Sequence, residues 1–156
     1  EIEIIFLDFD GVLTDNSVYT DTKGNEFVQS SKSDSVYINL FKKTKIKLVV
    51  VSSERKKNVE MRCKKLKIEN FIGINNKKEF ILKYLKKKIE ISNCIYVGND
   101  LNDYKAMQCF KYRICPSDSN PLIKKISNIH LKSNGGKNVM QEIFEDILKF
   151  DPLKFI

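Results

Sequence analysis

Short apolar runs alternate with segments of helical periodicity along almost the whole chain, and this alternation limits the fold more than any other feature. Each run stops at a polar residue, a proline or a glycine, as buried parallel strands do. The runs are Ile4–Leu7, Ile46–Val51, Phe71–Ile74, Cys94–Val97 and Tyr112–Cys115. Parallel strands joined by right-handed helical crossovers form a covered sheet, so we predict an α/β fold, a Rossmann-like doubly wound parallel sheet. The 156 residues match one ordinary domain, and we expect a single domain over 1–156.

One segment interrupts the alternation directly after the first run. Ser17–Val28 has β-branched and aromatic residues on both sides of a Lys-Gly-Asn turn, which predicts a β-hairpin. We expect this hairpin to overhang the carboxyl edge of the sheet or to pair with other subunits.

Composition excludes several classes of function. The net charge of +8 comes from lysines spread over many segments, which is typical of solvated helix faces and argues against a nucleic-acid partner. Four cysteines without a C-x-x-C pair, beside a single histidine, favour reduced thiols over a zinc site. No apolar run is long enough to cross a bilayer, and the start of the chain does not resemble a signal peptide. We therefore expect a cytoplasmic protein that binds no membrane.

Polar residues follow the predicted strands, where doubly wound sheets bind their ligands. Asp8 and Asp10 come after the first strand, Ser52–Glu54 after the second and Gly98–Asp103 after the fourth, while Lys77 and Lys78 open a helix beyond the third. Two carboxylates at the end of a buried strand are destabilising unless a cation or a hydrogen-bonding network compensates them. Carboxylates, a hydroxyl, a lysine and hard oxygen ligands together suit Mg²⁺-dependent phosphoryl transfer through an aspartyl phosphate.

The segment Asp8–Thr14 resembles the D-x-D-G-x-x-T signature of the haloacid dehalogenase superfamily. Ser52, Lys77 and Gly98–Asp103 resemble its three other motifs in the expected order, and the resemblance covers nearly the whole chain. It implies a phosphoric monoester hydrolase with the haloacid dehalogenase type of fold.

The resemblance also assigns roles to individual residues. Asp8 would be the nucleophile, and Asp10 the general acid that later activates water. The implied phosphate-binding residues are Gly11, Ser52, Ser53 and Lys77, with Lys78 as the alternative lysine. The implied Mg²⁺ ligands are Asp8, the carbonyl of Asp10 and Asn99, which stands where the superfamily usually has Asp, with Asp100 as an alternative ligand. Asp103 would orient Asn99 or Lys77 without touching the metal.

The chain lacks room for a cap domain and resembles, more narrowly, the tetrameric phosphatases of 3-deoxy-ulosonate phosphates. The hairpin, the R-x-x-x-L-x-I pattern of Arg62–Ile68 and the glycine pair of Ser133–Lys137 carry this resemblance. It implies a homotetramer in which a neighbouring subunit closes the site and the glycine pair packs at a neighbour's active site. Gln141 stands where that group often has arginine.

Two sugar-phosphate substrates fit this resemblance. Phosphatases of 3-deoxy-manno-octulosonate 8-phosphate typically carry T-G-R at the second motif, whereas the nonulosonate 9-phosphate branch more often has Glu in place of Arg. The Ser52–Glu54 run favours the nine-carbon sugar, with Thr14, Glu54 and Lys65 as substrate contacts. Two alternatives stay open: a weakly active or inactive regulatory and oligomerisation module associated with a sialate cytidylyltransferase, and a capless phosphatase of a macromolecule.

Overall fold

A computed structural model describes residues 1–55, 57–86 and 88–156 of the protein. The strands in these ranges are β1 (Ile4–Leu7), β2 (Thr14–Thr20), β3 (Glu26–Ser30), β4 (Lys47–Val51), β5 (Glu69–Phe71), β6 (Cys94–Val97), β7 (Tyr112–Cys115) and β8 (Ile129–His130). Six of them form a parallel sheet in the order β5-β4-β1-β6-β7-β8, and β2 pairs with β3 as an antiparallel hairpin. The predicted doubly wound α/β sheet and the hairpin after the first strand are thus confirmed.

Helices connect the strands. They are α1 (Lys32–Phe41), α2 (Lys57–Leu66), α3 (Lys77–Leu85), α4 (Tyr104–Met107), α5 (Pro121–Ile126) and α6 (Val139–Glu142). A π-helix over Ile143–Ile147 continues α6, and short 3₁₀ turns lie at Ile91–Asn93, Leu101–Asp103 and Pro152–Phe155. Side chains cap the first turns of two of the longer helices, Ser31 for α1 and Asn76 for α3.

The core lies on both faces of the sheet because successive side chains of each strand point to opposite sides. Ile5 and Leu7 of β1 pack in the layer that α1, α2 and α6 cover, whereas Ile4 and Phe6 pack in the layer formed with α3, α4 and α5. All four of these side chains are buried, since β1 runs through the middle of the sheet. This double burial explains why β1 reads as a continuous apolar run.

The third predicted strand begins and ends earlier than expected. It covers Glu69–Phe71, whereas the apolar pattern indicates Phe71–Ile74. Gly73 has a positive φ of 68°, its N–H donates to the carbonyl of Glu54, and the N–H of Ile74 donates to the carbonyl of Ser52. The chain therefore leaves the sheet after Phe71 and bonds instead to the loop that follows β4.

The chain runs outward from β1 through β4 to β5 and then crosses back to β6 on the other side of β1, so the strand order reverses between β1 and β6. At such a switch point the loops at the carboxyl ends of the two neighbouring strands diverge and leave a crevice. The loops after β1 and β6 carry Asp8, Asp10 and Asn99.

In the described residues no helix has both the length and the apolar character that a membrane span requires.

Candidate active site

The loop after β1 is a tight turn built on the backbone of Phe9. Its carbonyl accepts the N–H groups of the residues at positions 12, 13 and 14, at 3.3, 2.9 and 3.2 Å. Gly11 has φ +79°, and a Cβ at this position would lie 1.9 Å from Nδ2 of Asn99. Only glycine fits there, because the backbone is left-handed and the Asn99 amide fills the space of a side chain. The loops after β1 and β6 are therefore in direct contact.

Asp8 is buried at the end of β1, with 3% of its surface exposed. Its Oδ1 accepts the N–H of Phe9 at 2.7 Å and lies 2.9 Å from Nζ of Lys77. Burial raises the pKa of Asp8 to about 8, and repulsion from Asp103 adds to this effect, while the Lys77 ammonium opposes it. Within the described residues Oδ2 accepts no hydrogen bond, so one carboxylate oxygen is fixed and the other is available.

Lys77 opens α3 and is as buried as Asp8, with 2% of its surface exposed. Its Nζ lies 2.7 Å from Oδ1 of Asp103 as well as 2.9 Å from Asp8. Burial disfavours the charged ammonium, but the two carboxylates outweigh burial and raise the pKa of Lys77. Lys78, the alternative lysine, lines an adjacent cavity together with Lys77, but the ion pairs to Asp8 and Asp103 are made by Lys77. The structure thus places Lys77, and not Lys78, beside the Asp8 carboxylate.

Asp103 holds the loop after β6 in place. Its Oδ1 accepts the hydroxyl of Tyr96 at 2.7 Å together with Lys77, and its Oδ2 accepts the N–H of Asn99 at 3.0 Å. A Cβ at Gly98 would lie 2.7 Å from Oδ2 of Asp103, so a side chain there would displace this carboxylate. Asp103 thus contacts both Asn99 and Lys77, the two residues named from the sequence as alternatives for it to orient.

Asp10 is partly buried at the edge of the loop. Burial raises its pKa, and the neighbouring Glu54 carboxylate raises it further, whereas a hydrogen bond from Thr14 lowers it. A carboxyl group with a raised pKa is suited to give and take a proton near neutral pH. Oγ1 of Thr14 accepts the N–H groups of Gly11 and Asn16, and the Thr14 side chain is fully buried. Thr14 therefore shapes the loop instead of facing the cavity, which corrects its assignment as a substrate contact.

Asn99 and Asp100, the two candidates for the third metal ligand, lie in different surroundings. Oδ1 of Asn99 is buried and accepts no hydrogen bond from the described residues. A buried acceptor without a donor is destabilising unless a cation or another donor reaches it. The exposed Asp100 is already used, since its Oδ1 accepts the N–H of Leu101 at 2.8 Å and Nδ2 of Asn120 at 3.1 Å. Asn99 thus fits a hard cation better than Asp100 does.

The oxygen donors at this edge of the sheet suit magnesium, because carboxylate, carbonyl and amide oxygens are the hard ligands that it prefers. No cluster of three or more His, Cys, Asp or Glu side chains that could hold a metal ion occurs in residues 1–55, 57–86 and 88–156. A ligand set of one carboxylate, one backbone carbonyl and one amide oxygen contains only one of these four side-chain types, so it would not count as such a cluster. Mg²⁺ commonly keeps several waters beside a few oxygen ligands from the protein.

An open cavity of about 690 Å³ lies over these groups. Asp8, Asp10, Asn99 and Asp100 line one part, and Ser52, Ser53 and Glu54 line another. Ser52 is buried and its Oγ accepts the N–H of Glu54 at 3.1 Å, while Ser53 donates to the carbonyl of Ile74 at 3.2 Å. The structure thus brings together the predicted residues from the loops after β1, β4 and β6.

Four further residues line the cavity without a role predicted from the sequence, namely Asn16, Arg55, Leu101 and Asn102. Asn16 has φ +64°, a backbone conformation that asparagine tolerates, and it lies two residues after the signature. Arg55 follows Glu54 and packs over Gly73, where its Cγ lies 3.2 Å from the position of an added Cβ. The sequence held one signal for Arg55, its position one residue beyond the predicted second motif.

Lys65 is not brought to this cavity. It is exposed in the last turn of α2, and that helix runs from the carboxyl end of β4 back toward the start of β5. The end of α2 therefore lies at the opposite edge of the sheet from the cavity. The assignment of Lys65 as a substrate contact of its own subunit's site does not fit this position.

The chain is similar in sequence to named phosphatases. No protein-family model matches the chain. The chain is 27% identical over 149 residues to 3-deoxy-D-manno-octulosonate 8-phosphate phosphatase KdsC of Escherichia coli K12, and the match covers 94% of this chain and 79% of KdsC.

Solved structures show the same similarity. The phosphatase of that name from Moraxella catarrhalis, solved with a magnesium ion, a phosphate ion and a KDO molecule, superposes with a TM-score of 0.88 at 27% identity. That match covers 95% of this chain and 86% of the other. A candidate HAD family hydrolase from Streptomyces avermitilis gives a TM-score of 0.90 at 28% identity, with 95% and 86% covered. The chain is thus similar in sequence and in fold to haloacid dehalogenase hydrolases and, among them, to the 3-deoxy-D-manno-octulosonate 8-phosphate phosphatases.

Proposed function

We propose that the chain is a Mg²⁺-dependent phosphatase that hydrolyses the phosphate monoester of a 3-deoxy-ulosonate sugar, as a single domain over 1–156. One observation carries this proposal. A buried carboxylate, Asp8, is fixed through one oxygen by Lys77, and beside it the buried Oδ1 of Asn99 accepts no hydrogen bond from the described residues. Such an arrangement has a nucleophile, a phosphate-binding cation and an acceptor for a divalent ion at one edge of the sheet.

In the first step, Oδ2 of Asp8 attacks phosphorus and the bond from phosphorus to the sugar oxygen breaks. Asp10 gives its proton to the departing sugar oxygen, so the sugar leaves as an alcohol. Burial and the Glu54 charge raise the pKa of Asp10 above its usual value, which favours the protonated form that this step needs. Lys77 and the hydroxyl of Ser52 bind the phosphoryl oxygens, on which negative charge is concentrated.

In the second step, the Asp10 carboxylate takes a proton from water, and the water oxygen attacks the phosphorus of the aspartyl phosphate. The bond between phosphorus and Asp8 breaks, which restores the Asp8 carboxylate and releases inorganic phosphate. Asp103 keeps Lys77 and the loop after β6 in position throughout, through its bonds to Nζ of Lys77 and to the N–H of Asn99. Asp10 therefore acts as acid in one step and as base in the next.

Asp8, the carbonyl of Asp10 and Oδ1 of Asn99 would hold the magnesium ion. When bound, Mg²⁺ neutralises negative charge on the phosphoryl group and favours the ionised form of the nucleophile. Burial and the Asp103 charge raise the pKa of Asp8 to about 8 even with the Lys77 ammonium beside it, so a further cation matters for keeping the carboxylate charged near neutral pH. Because Asn99 supplies an amide in place of a carboxylate, the site has one negative charge fewer than the usual superfamily site.

The octulosonate 8-phosphate is the substrate we propose first. The relatives in the sequence comparison are named for this substrate, and the Moraxella catarrhalis structure contains a KDO molecule. The nonulosonate 9-phosphate is the second candidate, because Glu54 lines the cavity where it can accept hydrogen bonds from sugar hydroxyls. The Ser52–Glu54 run favours the nine-carbon sugar, whereas the names of the relatives favour the eight-carbon one.

A homotetramer is part of the proposal. The hairpin carries three large side chains that are more than half exposed, Val18, Tyr19 and Phe27. Exposed apolar side chains grouped on one element are typical of contact surfaces. Sedimentation equilibrium measures the mass directly: four chains per particle support this proposal, and a monomer favours the open-site phosphatase of a macromolecule.

Phosphate release from the two sugar phosphates, measured with and without Mg²⁺, tests the function. We expect turnover of the octulosonate 8-phosphate that depends on Mg²⁺ and is lost in Asp8→Asn, whose circular dichroism spectrum matches the wild type. Faster turnover of the nine-carbon sugar would assign the second candidate. If the folded wild type turns over neither sugar, the regulatory module becomes the better explanation.

A further inference from the structure

The glycine pair near the end of the chain packs against the active-site loop of its own subunit. A Cβ at Gly135 would lie 2.1 Å from the carbonyl oxygen of Gly11, and a Cβ at Gly136 would lie 2.5 Å from the carbonyl carbon of Thr14. The N–H of Gly136 donates to the carbonyl of Val12 at 2.9 Å. This turn, residues 133–136, thus contacts the backbone of the loop after β1 closely enough to exclude any side chain.

The loop after β7, residues 117–120, binds the turn from its other side. Oδ1 of Asp118 accepts the N–H of Gly135 at 2.9 Å, and the N–H of Ser117 donates to the carbonyl of Ser133 at 2.9 Å. The first of these bonds joins the Asp118 side chain directly to the glycine that touches Gly11.

The same loop also binds the loop after β6. The N–H of Asn120 donates to the carbonyl of Asn99 at 2.9 Å, and Nδ2 of Asn120 donates to Oδ1 of Asp100 at 3.1 Å. Residues 117–120 therefore bond at one end to the turn against Gly11 and at the other end to the backbone of Asn99. A continuous path of contacts connects the loop of the nucleophile to the loop of the amide ligand.

Two buried carboxylates fix the far side of the turn. Glu142 accepts the N–H groups of Lys132 and Ser133 at 2.8 and 2.9 Å. Asp34 of α1 accepts the N–H of Met140 at 2.9 Å and so attaches α6 to the core. The turn is thus held by the folded helices behind it as well as by residues 117–120.

We infer that the turn 133–136 and the loop 117–120 form an intrachain brace that sets the position of the loop after β1 relative to the loop after β6. Asp118, Gly135 and Gly136 are then positioning residues: they act through the backbone of Gly11 and Asn99 and do not touch the substrate. This role differs from the one implied by family resemblance, in which the glycine pair packs at a neighbour's site. The kinetic consequence rests on the proposed phosphatase function, whereas the structural consequence does not.

The sharpest test compares two glycines with the same backbone conformation. Gly136 has φ +67° and Gly24 has φ +80°, so alanine is strained at both, but an added Cβ at Gly24 meets nothing within 4 Å. Gly136→Ala must push the loop after β1, whereas Gly24→Ala cannot. Because a displacement of about 1 Å costs roughly 100-fold in rate, we expect kcat to fall about 100-fold in Gly136→Ala and to stay near the wild-type value in Gly24→Ala.

A second comparison removes one hydrogen bond without straining the backbone. Asp118→Ala deletes the acceptor for Gly135, while Asp118→Asn keeps an oxygen in the same place. Asp151→Ala is the matched control, because the exposed Asp151 likewise accepts one backbone N–H, that of Leu153, at 3.0 Å. We expect Asp118→Ala to lower kcat about tenfold, with little change in KM, and Asp118→Asn to restore it.

Amide hydrogen exchange of the peptide covering residues 9–15 gives a readout that does not need activity. We expect faster exchange in Gly136→Ala and Asp118→Ala than in Gly24→Ala, Asp151→Ala and the wild type. The brace is refuted if exchange and kcat in both brace variants equal those of their controls. If the wild type itself releases no phosphate, the proposed function fails, and the exchange data alone decide about the brace.

Discussion

Lys77 is the side chain whose removal should most disturb the site. Its Nζ lies 2.9 Å from Asp8 and 2.7 Å from Asp103, and the exposed fractions of the three side chains are 1%, 4% and 0%. Lys77→Met keeps most of the apolar stem and removes the charge. The variant therefore leaves two buried carboxylates without the ammonium that they share.

The size of the loss follows from these distances. At an effective dielectric constant of about 20, each of the two attractions amounts to about 6 kcal/mol. Much of this is offset by the desolvation of the three groups, and breaking a buried pair by removing one partner typically costs about 3–5 kcal/mol. Burial already raises the pKa of Asp8, so this carboxylate takes up a proton in the variant, which limits the loss of stability. We expect the free energy of unfolding to fall by about 3 kcal/mol and kcat by at least 100-fold.

Urea unfolding near neutral pH, without divalent ions, measures this change. Lys83→Met is the matched control, because Lys83 lies in the same helix with its Nζ 2.6 Å from Glu79, but those side chains are 76% and 57% exposed. We expect Lys83→Met to unfold at the wild-type urea concentration, since exposed pairs contribute little. Adding Asp103→Asn to Lys77→Met should recover part of the lost stability. Equal midpoints for Lys77→Met and Lys83→Met would refute the reasoning.

Three further predictions concern charge at the site and in the core. Burial raises the pKa of Asp34 from 3.8 to about 6, so the stability that its proton provides is present below pH 3.8 and lost as pH rises through 6. Above pH 6, the free energy of unfolding of Asp34→Asn should therefore exceed that of the wild type by up to about 3 kcal/mol. Urea unfolding across pH measures this difference, and an unchanged pH dependence would contradict it. Asn99→Asp adds a negative charge beside Asp8 and should tighten Mg²⁺ binding about tenfold in isothermal titration calorimetry, while equal affinity would argue against Asn99 as a ligand. Chelation of divalent ions should abolish phosphate release and lower the melting temperature, because the ion binds only the folded chain, and a melting temperature independent of Mg²⁺ would contradict the site.

The residues at the strand ends could be predicted from the sequence because, in a parallel sheet, they lie at the same edge whatever the order of the strands. Asp8, Ser52 and Asn99 each follow a buried parallel strand, and the carboxyl ends of parallel strands meet at one edge. The contact between Lys77 and Asp103 is different, since it joins residues 26 apart. It depends on α3 and the loop after β6 covering the same face, which periodicity alone does not specify.

The misassigned residues have physical explanations. Lys65 lies on a helix that runs back along the sheet, so spacing in the sequence gives no information about which edge it reaches. Thr14 uses its hydroxyl for the backbone of its own loop, a local choice that competes with substrate binding. The brace residue Asp118 was missed because its partner is a backbone N–H 17 residues away, and such a bond leaves no pattern in the sequence.

Chemical trapping of the intermediate tests the central claim most directly. Borohydride added during turnover reduces an aspartyl phosphate to homoserine, and peptide mass spectrometry locates the modified residue. We predict homoserine at position 8, formed only when substrate and Mg²⁺ are both present. An unmodified Asp8 in a preparation that is releasing phosphate would contradict nucleophilic catalysis by this carboxylate.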